Sequence, residues 1–371
     1  MENNTNDIDS QQVNRAQLRP ALIASREMLY EYSYVINHIL AGLIDESVPT
    51  LLVSTPDSSA EHIVPPSVEV IKYPFYNLPF LGSQNRKILL EQLSGFKPTL
   101  LHCLCPSHAI LTKKLAKELS IPYILSVNAL QRDFTADFLS KKRLAKIIVP
   151  SEIIKNTLYV KYPEMSGRIT MVHPGSFAED SPVCFKNPSR VPSLVTASPL
   201  RRLEDFLPLL NAARRLAIDG YDFILVIAGN GPAESKLMRT ISSFGLSPQT
   251  TLVPQPKNWR QVISGADIFI QPRPVFRFNP LLLEAMSAGV AMTACKGGID
   301  DLLIDQKTCL LFEQDDELSI YSCLQKILDD RNVAKNIAAG AQDHIRRNYS
   351  VAQMIEDLLT VYRQSQRWFN K

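Results

Sequence analysis

The sequence predicts an α/β protein: two Rossmann-like, doubly wound domains in tandem, facing across a cleft. Three observations predict it. Short runs rich in β-branched and other apolar residues alternate with amphipathic helical stretches along the chain. The strand runs are near-continuously apolar rather than alternating, as strands of a parallel sheet covered on both faces are. The length of 371 residues exceeds one ordinary domain; it suits two domains of roughly 150–200 residues each.

In order, residues 1–18 are polar and read as a flexible tail. The first series of strands falls at 20–25, 50–55, 68–74, 99–105, 123–129, 146–151 and 169–175. Helical patterns such as ILLEQLSGF and HAILTKKLAKELS lie between them. A proline-containing segment near 174–192 marks the boundary. The second series falls at 193–198, 223–229, 250–255, 268–272, 291–295 and 309–313. Its helices include EDFLPLLNAARRLAIDG, PAESKLMRTISSFGL, LLLEAMSAG and DELSIYSCLQKILDD, and 333–368 is helical by pattern. This gives a first domain over 19–175, a second over 176–349, and a C-terminal helix (350–371) that packs back on the first. Open α/β sheets bind ligands beyond the carboxyl ends of their strands, so the cleft is the expected site.

Composition narrows the function. Apolar residues are 45% and charged residues 21%, which excludes a disordered or collagenous chain. Lys+Arg 40 against Asp+Glu 37 leaves +3, too even for a dedicated nucleic-acid binder. There is no run of about 18 apolar residues, hence no predicted transmembrane helix. The polar start MENNTNDIDSQQ lacks a charged-then-apolar signal, which predicts a cytoplasmic protein. The six cysteines, including Cys103 and Cys105 at a strand end, have neither a disulfide framework nor zinc spacing and read as buried, inert thiols. Lys141, Lys142, Arg143 and Lys146, and Lys113, Lys114 and Lys117, are basic clusters. They read as solvated surface or, at most, as a peripheral contact with the inner membrane face. Trp368-Phe369 is expected to cover the domain junction.

Two motifs in the second half carry chemistry. Gly229-Asn230-Gly231-Pro232 follows a strand and precedes a helix. Glycine lets backbone approach a ligand and a helix N-terminus offers N–H groups to an anion, although a tight strand-to-helix turn alone also explains it. The second is Phe278-Asn279-Pro280-Leu281-Leu282-Leu283-Glu284-Ala285-Met286-Ser287-Ala288-Gly289, with Gly297-Gly298 after the next strand. A carboxylate among these apolar neighbours is costly to bury alone. Either Glu284 points outward, or it holds ligand hydroxyls, as an acidic residue near a helix start holds a ribose.

Together with Ala266-Asp267-Ile268-Phe269-Ile270-Gln271-Pro272, these segments resemble the nucleotide-sugar domain of GT-B glycosyltransferases of the retaining group 1 family. The resemblance covers 193–330 closely and the first half weakly, through Pro150-Ser151-Glu152 and Arg168 to Gly175. It implies a sugar moved from a nucleotide-diphosphate sugar to a hydroxyl acceptor (glycan, lipid-linked or small molecule), with retention and without cofactor or obligatory metal. No D-x-D-type motif stands at a plausible site. By that resemblance Glu284 is the second Glu of E-x7-E and holds the donor ribose. The preceding Asn279, Leu281 and Leu282 lie along the diphosphate, and Gly229, Gly231, Pro232, Gly297 and Gly298 line the donor pocket. Arg201, with Arg202 as alternative, stabilises the leaving diphosphate; a solvated pair at a helix start is the plainer reading.

The sequence also departs from the family. The first Glu of E-x7-E falls at Phe276, a residue unable to accept a hydrogen bond, and Pro280 lacks an N–H. Arg273 or Arg277 is then the source of charge. The turn after the first strand, Ser25 to Ser33, has no glycine. His102 is the remaining candidate for a catalytic group from the first half, or a satisfied structural histidine; Asn128 cannot act as a base. These departures keep a second reading open: a catalytically degenerate nucleotide- or glycan-binding protein, or a partner subunit. A nucleotide-sugar epimerase of similar architecture is the third.

Overall fold

The structure is a computed structural model that describes residues 18–56, 63–75, 81–130, 139, 142–254, 256 and 259–370. Residues 1–17 of the expected tail and Lys141 lie outside these residues. Two parallel sheets form. The first contains β1 (Pro20–Ile23), β2 (Leu51–Ser54), β3 (Glu69–Lys72), β4 (Leu100–Cys103), β5 (Tyr123–Ser126), β6 (Leu144–Val149) and β7 (Ile169–Met171) in the order β3-β2-β1-β4-β5-β6-β7. The second contains β8 (Ser193–Ala197), β9 (Ile224–Ala228), β10 (Thr250–Val253), β11 (Ile268–Gln271), β12 (Ala291–Cys295) and β13 (Leu310–Phe312) in the order β10-β9-β8-β11-β12-β13. Both orders reverse after their first strand, as in the doubly wound fold.

Each strand appears where the apolar runs predict it. The runs overshoot because their last residues, such as Ala24-Ser25 and Cys105, are turns at the carboxyl ends. Strands β1, β2, β4, β5, β11 and β12 are buried at every position, which is why they read as unbroken apolar runs. Pro208 shortens the helix predicted after β8: a 3-10 turn (Leu203–Asp205) comes first and the α-helix is Leu207–Ile218. The helical tail is two helices, Arg331–Asn348 and Val351–Phe369. Ser350 separates them, its side chain accepting from the Gln353 N–H at 3.2 Å.

The chain crosses between the two sheets at adjacent points. Ser176 donates its N–H to the Tyr349 carbonyl at 2.8 Å and bridges Ser350. Helix Val351–Phe369 then packs on helix Ser33–Asp45 and on β4 and β6 of the first sheet. Its end differs from expectation. Trp368 lies under Arg168 at 5.1 Å and Phe369 under Arg143 at 5.3 Å, so both cover the amino ends of β6 and β7 and not the junction.

Candidate active site

The carboxyl ends of β8, β9 and β11 open on a cleft of about 720 Å³. This is the switch point of the second sheet, where neighbouring strands send their connections to opposite faces and leave a crevice. The first half supplies Glu31 and Ala129 to the opposite wall.

The β8 wall carries Arg201 and Arg202. Their loop is held by the glycines after β9. Leu200 donates its N–H to Asn230 O at 3.0 Å, and Leu200 O accepts from the Ala233 N–H at 3.0 Å. A Cβ on Gly229 would stand 2.1 Å from Ser198 O, and one on Gly231 2.1 Å from Leu200 O. These glycines therefore dock backbone on backbone; Gly229 also lines the cleft, while Gly231 and Pro232 do not. Arg202 pairs with Asp205 at 3.0 Å, and Arg273 pairs with the same carboxylate. The exposed Arg201 guanidinium has no ion pair or hydrogen bond among the described residues.

The β11 wall continues as a strap, residues 272–279, pinned on both sides. On one side Val275 bridges Gly298, and Val275 O accepts from the Ile299 N–H at 2.8 Å. Gly298 has φ +90°, and a Cβ there would meet Val275 O at 2.5 Å. Gly297 and Gly298 thus support the strap from outside the cleft. On the other side Arg277 bridges Ala129 of the first half. Leu130 donates to Phe276 O at 2.9 Å, Phe278 donates to Asn128 O at 2.9 Å, and the buried Tyr32 hydroxyl donates to Phe278 O at 2.7 Å. Arg277 also pairs with Glu31. The Phe276 ring lines the cleft and is 61% exposed.

Helix Pro280–Ala288 begins at this strap. Asn279 caps it, accepting from the Leu281 N–H at 3.1 Å and donating to Gln271 at 3.1 Å. Pro280 has no N–H and Leu282 already donates to Asn279 O at 3.2 Å. The helix start is thus largely self-satisfied, and the positive charge of the cleft comes from arginines. Asn279 and Leu281 line the cleft, whereas Leu282 is in the core.

Glu284 stands one turn beyond Leu281 on the same helix face. It is 3% exposed. Its Oε1 accepts from the Ser176 hydroxyl at 3.0 Å; its Oε2 lies 3.6 Å from Arg260 and has no hydrogen-bond partner. Burial raises its pKa, opposed by the Ser176 hydrogen bond and the Arg260 charge. Glu284 does not itself line the cleft. The two elements that hold it, through Leu281 and the Trp259 next to Arg260, do.

His102 is not brought to this cleft. It is 2% exposed, with Nδ1 2.7 Å from the Tyr362 hydroxyl and Nε2 2.8 Å from Ser126 Oγ. Burial pushes its pKa down to about 3, so the ring is neutral. It borders a separate apolar cavity of about 50 Å³. Sequence reasoning missed Glu31, Asp205, Ser176 and Arg260. All four act through partners distant in sequence or lie outside a motif, so no local pattern marks them. Among the described residues no three His, Cys, Asp or Glu side chains gather as a metal site, and no helix is long and apolar enough to cross a membrane.

Residues 186–344 match the family described as Glycosyl transferases group 1. The chain is 22% identical over 302 residues to the sulfoquinovosyl transferase SQD2 of Arabidopsis thaliana, covering 74% of this chain and 58% of that protein. It thus spans little more than half the length of that relative. A glycosyltransferase from Rickettsia africae ESF-5 superposes with TM-score 0.76 at 15% identity over 94% of this chain and 99% of its own. Anabaena Alr3699/HepE, solved in complex with UDP and glucose, gives 0.76 at 12% identity over 92% and 98%. The similarity to the group 1 family thus lies in the second half, over residues 186–344, and the whole chain has the GT-B fold of the two solved structures.

Proposed function

We propose that this protein transfers a sugar from a nucleoside-diphosphate sugar to a hydroxyl acceptor, with retention of anomeric configuration. The observation that carries the reading is a cleft lined by an unpartnered cation, Arg201, and backed by a buried carboxylate, Glu284, which stands one turn beyond the cleft-lining Leu281 and has one oxygen without a hydrogen bond. A diphosphate takes the guanidinium, and ribose hydroxyls take the carboxylate. In the reaction the bond from anomeric carbon to diphosphate oxygen breaks and its electron pair leaves with the diphosphate. The acceptor oxygen forms the new bond, and its proton passes to the departing phosphate. Arg201 and Arg202 stabilise the charge that develops on the leaving group.

Solved relatives of the same fold hold UDP and UDP-glucose, which supports this ligand class. The acceptor (glycan, lipid-linked or small molecule) belongs to the proposal as well, and so does any peripheral membrane contact. Phe276 in the strap favours the second reading, a GT-B protein that binds without turnover. A thermal-shift screen of the full chain with UDP, GDP, ADP and their sugar conjugates tests the first. A ligand at 100 times its dissociation constant adds about 2.7 kcal/mol, a shift of a few degrees. A shift with one nucleotide identifies the base, and product formation from that donor then separates transferase from binder. No shift with any nucleotide for folded protein sinks both donor-binding readings.

A further inference from the structure

We infer that the sugar carried by the donor is acidic, bearing a carboxylate or sulfonate, and that Arg273 and Arg277 on either side of Phe276 select it. This deepens the reading above and rests on it. The strap brings Arg273, Arg277 and the exposed Phe276 ring to the same cleft. Each guanidinium is used at one nitrogen only. Nη1 of Arg273 meets Asp205, and Nη1 of Arg277 meets both oxygens of Glu31. Nε and Nη2 of both have no partner among the described residues. That edge of a guanidinium is a planar fork of two donors, matched to a carboxylate or sulfonate.

The surroundings remove what would repel such a group. The two carboxylates that line the cleft, Glu31 and Asp205, are both ion-paired. Position 276, where the family resemblance expects a glutamate, holds phenylalanine. A glutamate there would add a third carboxylate to the cleft, next in sequence to Arg277, and repel an anionic sugar. Its absence admits an anion and leaves an apolar ring for the carbon face of the sugar. The strap is also pinned before any ligand arrives, by Val275 on Gly298 and by Phe276 O on the Leu130 N–H at 2.9 Å. Little ordering is left for binding to require. Arg202 shares Asp205 with Arg273, whereas Arg201 has no partner among the described residues and remains for the diphosphate.

Calorimetric titration of the full chain with matched donors tests this: UDP-glucose against UDP-glucuronate, and GDP-mannose against GDP-mannuronate, with UDP and GDP as references. The acidic donor of the accepted base is expected to bind at least about tenfold tighter than its neutral partner. Arg277→Gln is expected to bring that ratio towards one, with Arg273→Gln as the second variant; thermal unfolding shows that each is folded. Phe276→Glu is expected to reverse the preference. Neutral and acidic donors binding the unaltered protein alike would overturn the proposal and leave the transferase reading standing. An acid preference that survives in both folded arginine variants also overturns it. No binding of any nucleotide or donor overturns both readings together.

Discussion

The two halves share one strand order and end in opposite ways. Beyond β8, β9 and β11 the backbone is drawn together at Gly229, Gly231 and Gly298, and arginines stand open to solvent. In the first half His102 of β4, Ser126 of β5 and Tyr362 of helix Val351–Phe369 satisfy one another in the interior. Among the described residues the first half reaches the cleft through Glu31 and Ala129. The difference teaches that the doubly wound frame fixes where a site can be, while the turns decide whether one exists. Here the second half holds the arginines of the cleft, and the first half grips the strap that carries two of them.

The largest effect expected from that contrast belongs to the first half. His102 has its pKa lowered by burial to about 3, against 6.5 when free. The unfolded chain therefore takes up a proton that the folded protein refuses. The resulting stability is complete above about pH 6.5 and is lost as pH falls towards 3, on the order of 4 kcal/mol. Urea midpoints at pH 7 and pH 4 measure it, and His102→Gln should flatten this acid limb. A folded His102→Gln protein that loses turnover at pH 7 would break the comparison, because the first half would then hold chemistry. Next comes Gly231→Ala. With a new Cβ 2.1 Å from Leu200 O, backbone must move, which costs about 3 kcal/mol. The arginine loop should move with it, and nucleotide affinity should fall. Unchanged stability and unchanged affinity together would show that the loop is not docked as described.

The readable part of the protein was what local pattern encodes. Strands such as β1, β4, β11 and β12 stand in apolar runs because a parallel sheet buried on both faces leaves no polar alternation, while the edge strands β3 and β10 are partly exposed. Arg201, Arg202, Gly229, Arg273, Arg277, Asn279 and Leu281, each singled out from the sequence, are gathered at one cleft. What could not be read was pairing across the chain. Glu284 meets Ser176, 108 positions away, and Arg277 meets Glu31, 246 positions away. His102 shows the same limit from the other side. A histidine at a strand end has one appearance in sequence whether it faces a cleft or, as here, a tyrosine 260 residues later.

Glu284→Ala addresses the open half directly. Removal of a charged hydrogen-bonding group from a ligand's hydroxyls should weaken nucleotide binding by about 2 kcal/mol, roughly thirtyfold. Because burial raises the Glu284 pKa, binding should strengthen as pH rises through that raised value and the carboxylate forms. Titration of wild type and variant with the accepted nucleotide across pH checks both points. Unchanged affinity in the folded variant would leave Glu284 as a partner of Ser176 and Arg260 only.

The smallest effect tests the grip. Tyr32 is buried in the first half, and its hydroxyl donates to Phe278 O of the strap at 2.7 Å. Tyr32→Phe deletes that one oxygen and keeps the ring packed, so the expected loss is about 1 kcal/mol of stability. The strap also has the Leu130 and Phe278 backbone bonds and the Arg277–Glu31 pair, so it should stay in place. Donor affinity should then change less than twofold, about 0.4 kcal/mol. A denaturation midpoint and a donor titration on the same preparation decide between two outcomes. A small stability loss with affinity kept means that the first half holds a strap already shaped by the Gly298 contact. An affinity loss larger than the stability loss means that the first half shapes the strap itself, and the division of labour between the halves would have to be redrawn.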